Sequence, residues 1–410
     1  MQMITRDRMF YRFSLYGFLK NLRFFDPFIL LIFRSYGLSF LQIGILYSIR
    51  EVATNILEIP TGVIADSFGR RRSMVAAFLS YIASFLIFYF LKDFIFLALA
   101  MVLFAFGEAF RSGTHKALIF EHLKIQGISD LKVAYYGLTR SASQFGSALN
   151  ALIAAGLIFY TGSYRVMFLA STVPYLLDLL NVITYPKSLD GELHRVKKGE
   201  IWSRVKTTSR EFVQIFSDGS VMKAILNSAS FSGVFKSAKD YLQPILAVLA
   251  LSVSVFTNLE DTRREAVIIG LVYFGIYFLT SLASRGAYLF SERFSSLSRA
   301  VNFTYLLGAG MLVLAGVTAN LQVITLAVVC FLGLYVINNV RRPINVGIIS
   351  DQISSQIMAS GLSTESQFTT IFSAIVAPLL GFLVDSLGVG NGITLIGIGM
   401  IALFSLVRVK

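Results

Sequence analysis

The sequence predicts an all-α polytopic membrane protein, with twelve transmembrane helices in two pseudo-symmetric six-helix bundles. Three observations predict it. Of 410 residues, 55% are hydrophobic and 14% charged, and the mean hydropathy is +0.70. A soluble domain is nearer about 45–50% apolar and about 25% charged. Apolar stretches of spanning length recur along the whole chain. Short patterns of the first half also return, in order, in the second.

The chain starts MQMITRDRMFYRF, which is basic. The apolar run that follows is interrupted by charges and has no small-residue cleavage site, so no cleavable signal peptide is expected. The expected spans are roughly 10–36, 39–67, 74–91, 94–121, 131–161, 164–186, 219–251, 266–290, 299–318, 320–349, 355–386 and 390–408. Each can cross a hydrocarbon core about 30 Å thick at about 1.5 Å per residue. The first holds Lys20, Arg23 and Asp26 near its middle. The fourth is crowded with Glu108, Arg111, His115 and Lys116 in its second half. The long polar stretch 187–218 divides the chain into bundles 1–186 and 219–410. Within it, Val205, Phe212, Val213 and Phe216 oppose a basic face from about Ile201 to Phe216, which reads as a surface helix on the cytoplasmic leaflet.

Lys and Arg fix the orientation. With the N-terminus inside, the inner loops hold Arg6, Arg8, Arg12, Arg70, Arg71, Arg72, Lys124, Lys132 and the basic linker. The outer loops hold only Lys92, Arg165, Arg263 and Arg264. The positive-inside rule then places both termini in the cytoplasm and the chain in the cytoplasmic (inner) membrane. The same loops account for the +13 net charge, so no nucleic-acid partner is expected.

The halves repeat. GFLKNLR (17–23) aligns with GVFKSAK (233–239), pairing Gly17 with Gly233, Lys20 with Lys236 and Arg23 with Lys239. FRSGTHKALIFE (110–121) aligns with VRRPINVGIISD (340–351), pairing Arg111 with Arg341 and Glu121 with Asp351. Gly156 and Gly162 match Gly381 and Gly388. Such parallel repeats are related by an axis along the membrane normal, with substrate bound near mid-depth at their interface.

The loop between spans two and three reads GVIADSFGRRR, residues 62–72, preceded by LEIPT. Gly62, Asp66, Gly69, Arg70 and Arg71 occupy the positions of a signature loop, and the chain resembles the major facilitator superfamily over its whole length. It looks like a broad group of prokaryotic members, many of unassigned substrate. The resemblance implies that Asp66, Arg70, Arg71 and Glu121 latch one conformational state, with Gly62 and Gly69 allowing the tight turn. GAYLFSERF (286–294) is a degenerate counterpart, so any latch is asymmetric. The plain alternative is that these basic residues only set topology.

A charge at the bilayer centre costs about 2.5–3.5 kcal/mol on insertion scales. Lys20, Arg23, Arg50, Arg111, Arg140, Lys236, Lys239, Arg285, Arg341 and Arg342 fall within spans, against Asp26, Glu51, Glu58, Glu108, Asp178, Asp240 and Glu365. Arg23 can pair with Asp26, and Lys236 with Asp240, leaving Lys20 and Lys239 without local partners. A cationic vestibule attracts phosphate or carboxylate. Superfamily members that exchange organic phosphates grip the anion with one cation from the first helix and one from the seventh. By that resemblance Lys20 and Lys236 form the clamp, with Arg23 and Lys239 behind them and Arg111, Arg140 and Arg341 as further substrate contacts. The competing reading pairs these cations structurally with Asp26, Asp240, Glu51 or Glu108. Asp26, Glu51 and Glu108 are the proton-coupling candidates, because burial and a nearby cation shift a carboxylate in opposite directions.

Span five has Gly137, Gly146 and Gly156 but lacks the glycine-and-proline signature of drug antiporters. Cys330 can form no internal disulfide, the histidines are too scattered for a metal, and no GxxxxGK[ST] loop or nucleophile constellation occurs. The expectation is therefore a secondary transporter, not an enzyme. It needs no cofactor or metal and works as a monomer among membrane lipids. It moves a small anionic organic solute, phosphorylated or carboxylated, by alternating access with proton coupling or anion exchange. The alternative is a proton-coupled exporter of amphipathic compounds.

Overall fold

The computed structural model describes residues 7–111, 113–191, 219–253, 257–352 and 358–409. Among these the chain is helical and holds no strand. The expected surface helix at 201–216 lies outside the described residues. The helices are α1 (Arg8–Leu19), α2 (Ile29–Ser35), α3 (Phe40–Phe68), α4 (Arg70–Phe90) and α5 (Phe94–Arg111). They continue with α6 (Thr114–Ile125), α7 (Lys132–Thr161), α8 (Val166–Ile183), α9 (Gly219–Ala238) and α10 (Leu242–Ser252). The last five are α11 (Asp261–Ser291), α12 (Leu297–Asn320), α13 (Ile324–Gln352), α14 (Met358–Leu387) and α15 (Val389–Val407).

Among the described residues, 9 helical stretches are long and apolar enough to cross a membrane. The other three expected spans miss that criterion for physical reasons. The first and seventh are broken helices. α1 ends at Leu19, and the chain runs through an irregular stretch and a 3-10 turn, Asp26–Phe28, before α2 resumes. α9 ends at Ala238, and a 3-10 turn Lys239–Tyr241 precedes α10. Both breaks fall at the aligned charges Lys20–Arg23 and Lys236–Lys239. The second span, α3, carries Arg50, Glu51, Glu58 and Asp66. Broken backbone at membrane depth must be satisfied by neighbours. Here the Asn150 amide donates to the Arg23 carbonyl at 3.0 Å, and the Phe24 N–H donates to the Ser171 hydroxyl at 3.0 Å.

By its own contacts the chain divides into two compact units. Unit 1 is Met1–Pro27 with Ala53–Val205, and unit 2 is Phe28–Val52 with Lys206–Lys410. In unit 1, α1 packs on α7 and α8, and α4 packs on α5 and α8. In unit 2, α9 packs on α14, α12 on α13 and α15, and α11 on α13. The aligned pairs therefore recur, with α1·α7 answered by α9·α14, and α4·α8 by α12·α15. Also within unit 2, Asp385 of α14 accepts from the N–H groups of Phe40 and Leu41 at 2.9 and 2.7 Å. That carboxylate satisfies the open amides where α3 begins.

The repeat extends to single hydrogen bonds. A Cβ on Gly17 would meet the Ser143 hydroxyl at 2.7 Å and the Thr139 carbonyl at 3.2 Å. A Cβ on Gly233 would meet Phe372 at 2.5 Å and the Thr369 carbonyl at 2.9 Å. Small residues let backbones approach this closely inside a membrane. One turn on, the Asn21 amide donates to the carbonyls of Gly17 (2.8 Å) and Ser143 (3.1 Å). At the aligned position the Ser237 hydroxyl donates to the carbonyls of Gly233 (3.0 Å) and Ser373 (3.2 Å). The same clasp of a first helix against a fifth is thus built twice.

Candidate functional site

The signature loop forms the turn between α3 and α4. Gly69 caps α4 with φ +97°, a conformation that glycine reaches without strain. The Arg71 N–H donates to the Asp190 carboxylate at 2.7 Å, and the Arg71 guanidinium reaches the carbonyls of Ile183 (3.2 Å) and Tyr185 (3.4 Å). Arg70 pairs with Glu121 at 3.5 Å. Gly62 and Asp66 lie on α3, and the Asp66 side chain is outside the described residues. Asp190 was not singled out by sequence, because a carboxylate in a polar turn after the sixth span gives no sign of where it folds back.

Unit 1 gathers Arg23, Glu108 and Arg111. Arg23 donates to Glu108 and to the Tyr175 hydroxyl. Arg111 donates to Glu108 at 2.6 Å and to the Tyr81 hydroxyl at 3.0 Å, while Tyr81 donates to Glu108 at 2.8 Å. The Arg23 guanidinium also lies 4.8 Å from the Phe104 ring centre. Arg23 therefore takes Glu108, not Asp26, as its ion-pair partner, and Glu108 is shared between two guanidiniums. Asp26 opens the 3-10 turn. Arg140 is exposed on α7 and stands apart from this network. Lys20 makes no ion pair among the described residues; its ammonium lies 5.6 Å from the Tyr16 ring centre.

Unit 2 contains a cavity of about 490 Å³. Lys236, Lys239, Arg342, Asn338, Asn345 and Glu365 line it, with hydroxyls from Ser228, Ser232, Ser366 and Thr369. α9 and the turn after it supply the lysines, α13 supplies Asn338, Arg342 and Asn345, and α14 supplies Glu365. Lys236 pairs with Glu51, which Arg50 also holds at 3.0 Å. Lys239 pairs with the adjacent Asp240 at 2.6 Å. The predicted Lys236–Asp240 pair is thus replaced by one between α9 and α3. Even so, the lysine side chains stay 39% and 35% exposed, so their amines are neutralised but not sealed in dry contacts.

Arg341 does not reach the cavity. It is 1% exposed and donates to the Val301 carbonyl (2.6 Å), the Thr304 hydroxyl (2.8 Å) and the Asn227 amide oxygen (2.7 Å). Its guanidinium also lies 4.3 Å from the Phe231 ring centre. The next residue, Arg342, lines the cavity and makes no hydrogen bond or ion pair among the described residues. Successive helix residues point about 100° apart, so the alignment found the right turn of helix and the wrong side of it. Among the described residues, no group of three or more His, Cys, Asp or Glu side chains is placed to hold a metal.

Many helices of spanning length, with charges gathered around the breaks in two further segments, are those of a multi-pass membrane protein. A model of the Major Facilitator Superfamily matches residues 14–364, and the chain belongs to that family. A segment of 107 residues is 34% identical to an uncharacterized MFS-type transporter, YxaM, of Bacillus subtilis (strain 168). The match spans 26% of this chain and 26% of that relative. The nucleoside transporter NupG superposes with a TM-score of 0.76 at 11% identity, covering 98% of each chain. A D-xylose-proton symporter gives 0.69 at 14%, covering 96% of each chain. A POT family transporter in complex with 5-aminolevulinic acid gives 0.67 at 16%, covering 97% of this chain and 93% of that one. At these identities the likeness is one of fold.

Proposed function

We propose that the protein is a secondary active transporter that carries a small anionic organic solute, phosphorylated or carboxylated, across the cytoplasmic membrane. It works as a monomer by alternating access of two bundles, 1–186 and 219–410, joined by a linker at 187–218, with both termini in the cytoplasm. The observation that carries this reading is the cavity of unit 2, where Lys236, Lys239 and Arg342 stand among amides and hydroxyls. Ammonium and guanidinium groups at mid-helix persist where they serve a wet site, and phosphate and carboxylate are their natural ligands. In unit 1, Lys20 makes no ion pair among the described residues, which supports its role as a second substrate cation. Arg23 and Arg111, locked on Glu108, hold the first helix break in shape. Arg70, Arg71 and Glu121 act as the gate, with Gly69 setting the turn.

Superfamily neighbours of this fold include a nucleoside transporter, a D-xylose-proton symporter and a POT transporter with 5-aminolevulinic acid, so the substrate must be read from the cavity. Thermal unfolding of the purified protein against phosphorylated and carboxylated solutes, lipophilic cations and neutral sugars tests the reading. A ligand at a hundredfold its Kd adds about 2.7 kcal/mol to apparent stability. Stabilisation by an anion, abolished by Lys236→Gln and by Arg342→Gln, is expected. Stabilisation by lipophilic cations alone would favour a drug exporter instead.

A further inference from the structure

We propose that Glu365 is the coupling-proton site of this transporter, and that its protonation prepares the unit 2 cavity for an anion. The inference rests on the anion-carrier reading above and deepens it.

Glu365 is the one carboxylate among the described residues that line the cavity. Its Oε1 accepts from the Ser228 hydroxyl at 2.8 Å and the Thr369 hydroxyl at 3.3 Å. No described cation lies within ion-pair distance of it. Glu51 and Glu108, the sequence candidates for proton transfer, are each clamped between two cations instead. A proton on either would strand two positive charges at membrane depth. Glu365 has no such obligation. Hydroxyls donate to a carboxylate and accept from a carboxylic acid, so Ser228 and Thr369 can serve it in both forms. Asn345 donates to the Ser228 hydroxyl at 2.8 Å and holds that partner in place.

The surroundings give the proton its effect. The ionisable groups that share the cavity lining with Glu365 are Lys236 from α9, Lys239 from the turn after it and Arg342 from α13; Glu51 of α3 holds Lys236 and is itself held by Arg50, and Asp240 holds Lys239. α15, which also packs on α14, has no ionisable residue between 389 and 407. When the carboxylate takes one proton from water, the negative charge of Glu365 disappears from the cavity wall and the lysines and Arg342 are left to bind an anion. When the proton leaves, the carboxylate competes with that anion and favours its release. Solute and proton then travel together.

Sulfate is the probe, because it stays doubly charged between about pH 5 and 8, so any pH dependence of binding belongs to the protein. Its affinity for the full-length purified protein is read by thermal shift across that range. Wild-type affinity is expected to weaken with rising pH, by up to about tenfold per pH unit where one proton binds with each sulfate. Glu365→Gln should bind sulfate as wild type does at low pH, at every pH. Glu365→Asp should keep a slope. Unbuffered wild-type protein should take up about one proton per sulfate bound, a measurement that needs no variant. Sulfate binding that is flat with pH and releases or absorbs no proton would overturn the assignment of Glu365 while leaving the anion site standing. An unchanged slope in Glu365→Gln would do the same. No sulfate binding at any pH would overturn both.

Discussion

Lys20 and Lys236 occupy the same place in the repeat, yet their surroundings differ. Lys20 lies beside an aromatic ring and makes no ion pair among the described residues, while its neighbours Arg23 and Arg111 close on Glu108. Lys236 is itself paired, with Glu51, and looks onto a cavity. The register that sets Arg111 against Arg341 also sets Glu108 against Asn338, which lines that cavity. The first half thus spends its acid on a closed network, and the second half leaves the matching position neutral and open. The same helix pattern builds a closed network in one unit and lines a cavity in the other.

The largest expected effect breaks the closed network. Glu108→Ala strands two guanidiniums, and losing one partner of a buried ion pair costs about 3–5 kcal/mol. The side chains here are 17–23% exposed, which places the expected loss at the lower end of that range. Denaturant unfolding in detergent reads it, and a loss under about 1 kcal/mol would mean the network is solvated and weak. Next come the two clasps. Gly17→Val and Gly233→Val each overpack a helix contact and should cost about 1–3 kcal/mol, and by similar amounts if the repeat is structural. A large cost at one and none at the other would deny the equivalence. Next is the contrast of adjacent arginines. Arg341→Met leaves Asn227 and Thr304 without their donor and should lower stability by about 1–3 kcal/mol. Arg342→Gln should stay within about 0.5 kcal/mol of wild type while weakening anion binding. The smallest expected change in stability belongs to Lys20→Gln, again within about 0.5 kcal/mol because no ion pair is lost, with transport reduced.

The fold was legible because membrane helices announce themselves by length and hydropathy, and because the glycine-lysine pattern of 17–23 returns at 233–239. The signature loop marked the turn between α3 and α4, and the Arg70–Glu121 pair was within reach of sequence reasoning. The helix breaks were less legible: charges at Lys20 and Lys239 hinted at them, but hydropathy alone drew each as one span. Ion-pair partners were harder again. Local spacing suggested Arg23–Asp26 and Lys236–Asp240, whereas the pairs made are Arg23–Glu108 and Lys236–Glu51, across helices far apart in sequence. Burial of one arginine and exposure of the next could not be read either. Lipid-facing and core-facing sides of these helices are both apolar, so no amphipathic stripe marks which way position 341 points. Glu365 was visible as an acid within a span, but only its two hydroxyl partners and the cavity beside it distinguish it from the others.

On the proposed function, the unit 2 cavity holds the anion. Diffraction from crystals grown with selenate, collected at the selenium edge, tests it most directly. An anomalous peak is expected within hydrogen-bonding distance of Lys236, Lys239 and Arg342, lost when the most stabilising solute of the thermal panel is added. An empty cavity under selenate, or a peak that the solute leaves in place, would contradict it.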